Sequence, residues 1–85
     1  MPSTSDLIRE FVNHHWIEPA RRDGTHEVSV RSGEVHERML LRSRMPQVCG
    51  ALGANLFAET YRVSLLRREG PQNGANLVFT FRVLP

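Results

Sequence analysis

Residues 32–57 read SGEVHERMLLRSRMPQVCGALGANLF, and we expect the rest of the chain to be organised around this stretch. Ser32 and Gly33 have the character of a helix start, with Glu34 in the first turn, where the helix dipole favours a carboxylate. A second start follows at Pro46, because proline has no backbone N–H to lose in the first turn of a helix. The stretch therefore predicts two short helices joined by a tight turn that carries arginine.

The second of these helices, predicted over residues 44–55, has two different faces. Its inward stripe is apolar and consists of Met45, Val48, Cys49 and Leu52. Its opposite face is small, polar and free of acids, and consists of Gln47, Gly50, Ala51, Ala54 and Asn55. Gly50 and Gly53 each lower helix propensity by about 1 kcal/mol relative to alanine. Such a cost indicates close approach by a ligand or by another helix, and the glycines alone do not separate these explanations.

The residues before this pair of helices predict a longer helix and a short strand. Ser3 precedes an apolar pattern with helical spacing, which we expect to end at Pro19, with Gly24 closing the following turn. Residues 26–31, HEVSVR, alternate in polarity and predict a short strand with one buried face. The helix of residues 33–40 then follows directly.

The residues after the pair predict a β-hairpin. Residues 61–68 and 76–84 both have the character of strands, and the second alternates apolar and polar side chains with a period of two. Between them lies EGPQNGA, residues 69–75, which is composed almost entirely of turn-forming residues. The chain therefore ends in two strands joined by a polar loop.

Length and composition predict one domain, residues 1–85, in the cytoplasm. A chain of 85 residues allows a single small domain. No stretch approaches the roughly 20 apolar residues of a membrane span, and the first residues lack the pattern of a secretory signal. The single cysteine excludes an internal disulfide and is typical of a reducing compartment.

Charge is distributed unequally along the chain. All 11 basic residues are arginine. Residues 1–37 carry four arginines against seven acids, a net of −3, whereas residues 38–85 carry seven arginines against two acids, a net of +5. The asymmetry predicts that the later half faces a polyanion. A GC-rich genome could account for the absence of lysine, but it does not account for the asymmetry.

The sequence contains no pattern typical of an enzyme or a metal site. The histidines and Cys49 lack the close paired spacing of structural zinc ligands. His36 and Glu37 begin a zinc-protease motif, but position 40 is leucine where the second histidine should be. We therefore expect no catalytic residue, no metal, no cofactor and no small-molecule substrate.

The order of the predicted elements is helix, short strand, helix, helix, strand, loop, strand, an α+β arrangement. This order, and the spacing of residues 35–57 before the hairpin of residues 61–84, resembles a winged helix-turn-helix domain over essentially the whole chain. The resemblance implies three helices, a short strand that pairs with the hairpin, and a third helix that enters the DNA major groove. It also implies that the hairpin loop, or wing, touches the minor groove or the backbone.

Carried onto this chain, the resemblance implies a duplex-DNA interface and a role in transcription regulation. At the turn, Arg42, Ser43 and Arg44 would meet phosphates or a guanine. On the third helix the residues facing base edges would be Gln47, Ala51, Ala54 and Asn55. On the wing the contacts would come from Arg67, Arg68, Gln72, Asn73 and Asn76.

A second interpretation stays open at this point. The exposed face of the third helix and the wing tip carry no arginine, which departs from the pattern of a strong DNA binder. The alternative is a winged-helix module for protein interaction or dimerisation without DNA binding, with a second copy of the chain or another protein as the partner.

Overall fold

The computed structural model describes residues Met1–Pro85 as a small α+β fold, in which helical segments lie before and after a short first strand and two strands end the chain. The elements are α1 (Thr4–Val12), a π-helical segment (Asn13–Ile17), α2 (Glu18–Asp23), β1 (Glu27–Arg31), α3 (Ser32–Arg38), α4 (Met45–Gly53), α5 (Asn55–Tyr61), β2 (Val63–Glu69) and β3 (Val78–Val83). The first three segments follow one another without interruption. Counted as one helix, these segments make with α3, α4 and α5 a total of four helices, where three were predicted. The strands form one three-stranded sheet.

The first helix begins as predicted but does not end at Pro19. Ser3 caps it, because its hydroxyl accepts a hydrogen bond from the Asp6 N–H while the Asp6 carboxylate accepts one from the Ser3 N–H. The helix then continues through Pro19 to Asp23. The wider π-helical turn just before Pro19 shifts the pattern of backbone hydrogen bonds. Proline, which has no N–H to donate, therefore fits there without ending the helix. Gly24, in the left-handed conformation at φ 72°, ends the helix as expected.

The sheet pairs a strand from the first half of the chain with the C-terminal hairpin. It is antiparallel, with the strand order β1-β3-β2, so the short strand pairs with the hairpin as expected. Val30 lies opposite Phe79, and both side chains are fully buried on the face that the helices cover. A register shift between Leu65 and Arg67 marks a β-bulge in β2.

The predicted third helix, residues 44–55, corresponds to α4, and a further helix that was not predicted, α5, follows it directly. α4 ends at Gly53, Ala54 has an extended conformation with ψ at 144°, and α5 begins at Asn55. The break redirects the chain so that Phe57 enters the core, where it is fully buried and packs edge-on against Phe81 at 5.2 Å between ring centroids. Burial of an aromatic ring outweighs the few helical hydrogen bonds lost at the break.

The core lies between the sheet and the helices. The predicted inward stripe of α4 is confirmed for Val48, Cys49 and Leu52, which are buried, whereas Met45 is only half-buried. The largest fully buried side chains include Phe57, Phe79 and Phe81. None of the helices has both the length and the apolar character that crossing a bilayer requires.

Candidate functional site

A cleft of about 450 Å³ lies between α4 and the β2–β3 hairpin. Its lining comes from α4, the end of β2 and the hairpin loop, and consists of Cys49, Gly50, Arg68, Gly70, Gln72, Asn73 and Leu77. Three of the predicted contact residues, Arg68, Gln72 and Asn73, are thus brought together. No lining residue is acidic, so the only formal charge in the cleft is the guanidinium of Arg68.

Arg68 is exposed and forms no ion pair. Its two terminal nitrogens lie 3.2 Å from the point where a Cβ on Gly53 would be, so the guanidinium packs directly on the end of α4. Its central carbon lies 5.8 Å from the centroid of the Phe79 ring, within reach of cation–π attraction. These contacts orient the guanidinium and leave its N–H groups unused. They also explain why residue 53 is small.

Arg67, its neighbour, is in a different electrostatic setting. Its Nε lies 3.2 Å from a carboxylate oxygen of Glu69, and its Nη1 lies 4.0 Å from one of Glu27. Two carboxylates therefore offset its charge. The sequence predicted the same contact role for Arg67 and Arg68. In the structure, only Arg68 of the two has no carboxylate partner and is free to bind an anion.

The hairpin loop is anchored to the start of α3 by Ser32. This residue is fully buried, and its hydroxyl donates a 2.6 Å hydrogen bond to the carbonyl of Gly74. Its N–H donates to the carbonyl of Leu77 at 2.9 Å. The prediction that Ser32 caps the start of α3 is therefore wrong. Arg31 occupies the N-cap position, and the Ser32 side chain bonds to the hairpin loop instead.

Gly33 and Arg31 complete this anchor. The Gly33 N–H and the Arg31 guanidinium each donate to the Ala75 carbonyl at 2.9 Å. A Cβ on Gly33 would lie 2.6 Å from that carbonyl oxygen, so only glycine allows the loop to approach. Sequence reasoning missed this function, although an adjacent serine and glycine between a strand and a helix was the available indication.

The outward face of α4 differs from the prediction. Gln47 is half-buried, and its amide donates to the Ser5 hydroxyl on α1 at 3.3 Å. Ala51 is 1% exposed, because α1 packs over it and Arg9 donates to its carbonyl at 3.2 Å. Both residues thus face α1, which corrects the expectation that they face a ligand. The residues that remain exposed on α4 are Pro46 and Gly50.

Three other predicted contact residues lie outside the cleft lining. Ala54 is half-buried at the break between α4 and α5, and Asn55 is exposed at the start of α5. Asn76 is exposed in the return limb of the loop, just before the buried Leu77.

Gly50 is the most open position of α4. It is exposed, and nothing lies within 4 Å of the point where a Cβ would be. Packing inside the chain therefore does not explain its small size, in contrast to Gly53. The α4 backbone is accessible here to any ligand that enters the cleft.

The turn before α4 presents Arg42, Ser43 and Arg44, all exposed as predicted. Neither arginine forms an ion pair. His36 holds the turn, because its Nε2 accepts a hydrogen bond of 3.2 Å from the Arg44 N–H. Ser43 has a left-handed backbone with φ at 52°. The two arginines are thus presented from a tight, hydrogen-bonded turn.

The thiol in the cleft wall is shielded. Cys49 is 4% exposed, and burial raises the pKa of its thiol, although Ser32 and Arg68 both act in the opposite direction. A raised pKa keeps the thiol protonated, which suits a small core residue better than a nucleophile. No group of three or more histidine, cysteine or acidic side chains is arranged to hold a metal ion.

A second, more apolar groove of about 360 Å³ lies between the first helix and the end of α3. It is lined by Leu7, Glu10, Phe11, His14, His15 and Met39. Leu7 is 46% exposed, and Leu40, in the turn that follows Met39, is 87% exposed. This surface is separate from the cleft beside α4.

Comparisons of the chain with protein-family models, with curated proteins and with solved structures give no significant match.

Proposed function

We propose that this chain is a winged-helix domain that binds duplex DNA, with α4 at the major groove and the β2–β3 hairpin as the wing. The order of elements and the strand order β1-β3-β2 support this proposal. So does the charge of residues 38–85, which carry a net of +5. A positively charged surface beside a helix and a hairpin suits a polyanionic duplex.

The proposal rests chiefly on the unpaired arginines at the two ends of α4. Arg42 and Arg44 precede its first residue, and the guanidinium of Arg68 packs on Gly53, its last. The helix has nine residues and is therefore about 13 Å long. The major groove is about 12 Å wide. Cations at this spacing suit the phosphates on the two edges of one major groove.

The open position at Gly50 fits the same arrangement. It lies between the two groups of arginines, where the floor of the groove would come closest to α4. Because Gly50 has no Cβ, the DNA can approach the α4 backbone closely at this position. Close contact with DNA then explains why the helix accepts glycine, which costs about 1 kcal/mol of helix propensity relative to alanine.

Titration of a labelled random-sequence duplex tests the proposal. We expect binding at low salt that weakens steeply between about 50 and 200 mM, as phosphate contacts require. Arg44→Ala and Arg68→Ala should each weaken binding. Each should also reduce the magnitude of the slope of log K against log salt by about 0.9, the value for one phosphate contact. Arg82→Ala is the matched control, since Arg82 is an exposed, unpaired arginine of β3 next to the inward-facing Phe81 and Val83.

Two outcomes would count against the proposal. If no binding occurs at low salt, the domain does not bind duplex DNA. If Arg82→Ala weakens binding as much as Arg68→Ala, the chain attracts DNA through its overall charge and not through the α4 surface.

The second candidate function is self-association, and the apolar groove beside Leu7 favours it. The exposed Leu7 and Leu40 give a second copy of the chain an apolar surface to bury. Light scattering over a range of concentrations should then show a dimer that Leu7→Gln with Leu40→Asn disrupts. Asparagine suits position 40, where φ is 57°. A monomer at all concentrations would exclude this candidate.

A further inference from the structure

We infer that Gln72 and Asn73, at the tip of the wing, read the minor groove and supply the base preference of the domain, while α4 holds the duplex without reading it. This inference rests on the proposed DNA binding and assigns the recognition step within it. It differs from the expectation drawn from the sequence, in which Gln47, Ala51, Ala54 and Asn55 faced the base edges and the wing only touched the minor groove or the backbone.

The first argument concerns α4. Reading bases in the major groove requires side chains that donate or accept hydrogen bonds at the base edges. Gln47 uses its amide on Ser5, and Ala51 is buried beneath α1. The residues left exposed, Pro46 and Gly50, have no hydrogen-bonding side chain. The exposed residues of α4 can therefore lie close to the groove but cannot distinguish one base pair from another by side-chain hydrogen bonding.

The second argument concerns the wing tip. Gln72 and Asn73 are both exposed and both line the cleft beside Arg68. The side-chain hydrogen bonds that hold the loop come from Arg31 and Ser32 and end on backbone carbonyls, which leaves both amides free for a ligand. Each amide can donate and accept, as the base edges of the minor groove require.

The third argument concerns rigidity. Hydrogen bonds from Arg31, Ser32 and Gly33 fix the return limb of the loop, and the Gly74 N–H donates to the Pro71 carbonyl at 3.0 Å across the tip. Asn73 is held in a left-handed turn with φ at 58°. A loop ordered before binding loses little conformational freedom on the DNA. The minor groove, about 6 Å wide, also admits a narrow loop more easily than a helix.

The chemistry of the minor groove sets the expected preference. A·T pairs present only acceptors there, whereas G·C pairs add the exocyclic amine of guanine at position 2. The amide N–H groups of Gln72 and Asn73 suit the acceptors of A·T pairs. We therefore expect A·T-rich duplexes to bind more tightly than G·C-rich ones.

Duplexes with altered bases test this directly. Inosine paired with cytosine has the major-groove edge of G·C but lacks the minor-groove amine, so it should bind like A·T, about fivefold or more tighter than G·C. Replacing guanine by 7-deazaguanine removes a major-groove acceptor only and should leave the affinity unchanged. In the Gln72→Ala/Asn73→Gly double variant, inosine and guanine duplexes should bind equally well, while binding at low salt is kept. Gln47→Ala, the matched control, should retain the preference.

The outcomes separate the two proposals. Equal binding of the A·T, G·C, inosine and 7-deazaguanine duplexes overturns the inference and keeps the proposed DNA binding. The same conclusion holds if 7-deazaguanine or Gln47→Ala changes the affinity while inosine does not. Failure to bind any duplex at low salt overturns both. Glycine suits the left-handed backbone at position 73, and a Gln72→Ala single variant that halves the preference or more supports the inference independently of the double variant.

Discussion

The Ser32 hydroxyl donates a 2.6 Å hydrogen bond to the carbonyl oxygen of Gly74, 42 positions later in the chain. Ser32 opens α3, which leads into the turn of Arg42 and Arg44, and Gly74 follows the wing tip. One buried serine thus connects the two parts of the proposed interface. Their relative position depends on this contact and on the neighbouring bonds to Ala75 and Leu77.

Ser32→Ala should lower the free energy of unfolding by about 1–3 kcal/mol, because the Gly74 carbonyl loses its side-chain donor in a partly buried setting. Urea unfolding followed by circular dichroism measures this change. Ser64→Ala is the control, since the Ser64 hydroxyl forms no hydrogen bond within the chain and its removal should change stability by less than about 0.5 kcal/mol. Equal losses for the two variants would mean that the Ser32 bond contributes nothing to the anchor.

Gly50→Ala should stabilise the fold by up to about 1 kcal/mol, because alanine has the higher helix propensity and its Cβ meets no atom within 4 Å. The same Cβ should weaken duplex binding if α4 approaches the groove at this point. Urea unfolding and duplex titration at a single salt concentration measure the two effects. A stabilised variant with unchanged affinity would show that this face of α4 does not contact DNA.

Gly33→Ala makes the same chemical change with the opposite expected effect. Its Cβ would lie 2.6 Å from the Ala75 carbonyl oxygen, so the loop must move away. We expect the free energy of unfolding to fall by about 1–3 kcal/mol, as overpacking does elsewhere. Urea unfolding under the conditions used for Gly50→Ala provides the comparison. A neutral result would show that the loop adapts freely at this contact.

Acid should weaken the fold through His15. Desolvation, followed by the positive charges of His14 and Arg38, lowers the pKa of His15 below its ordinary value of 6.5. The folded state therefore favours neutral His15. Its contribution is fully present above pH 6.5 and decreases as the pH falls from 6.5 through the lowered value.

Unfolding measured against pH, with the single tryptophan, Trp16, as the fluorescent probe, tests this effect. The Trp16 ring centroid lies 6.4 Å from that of His15, so local changes should also alter its emission. We expect the wild-type chain to lose more stability on acidification than His15→Gln. His26→Gln, at another exposed histidine, serves as the control. Parallel loss in the wild-type chain and His15→Gln would contradict the assignment to His15.

Cys49 should react slowly with thiol reagents in the folded protein. It is 4% exposed, and burial raises the pKa of its thiol, so the reactive thiolate is scarce. The only cysteine of the chain should therefore react at a rate set by opening of the fold, and at once in urea. Under the proposed function, duplex DNA should slow the reaction further, because a ligand that binds the folded state stabilises it. Rapid stoichiometric labelling in native buffer would show that the cleft wall at Cys49 opens readily.

Much of the fold could be predicted because its determinants are local. The Ser3 cap, the left-handed Gly24, the period-two pattern of β3 and the inward stripe around Val48 each depend on residues close in sequence. The errors arose where tertiary contacts outweighed local preference. The helix passes Pro19 through a π-helical turn, and α4 breaks at Ala54 where burial of Phe57 requires a change of direction.

The candidate site was predicted less accurately. α4 packs against α1 as well as the core, so a single apolar stripe could not reveal that Gln47 and Ala51 are also turned inward. The difference between Arg67 and Arg68 depends partly on Glu27, a residue of β1 some forty positions away, and on the contact of Arg68 with Gly53.

Residues close together in the chain were enough to predict the hairpin, the excess of arginine in the later half and every helix and strand except α5. These properties follow from side-chain periodicity, turn-forming residues and charge, all of which depend on residues that are close together in the sequence. Contacts between distant parts of the chain determine which arginines stay unpaired, which face of α4 is open and how Ser32 and Gly33 hold the loop. Such properties depend on atoms brought within a few ångströms from distant parts of the chain, and no local pattern records that proximity.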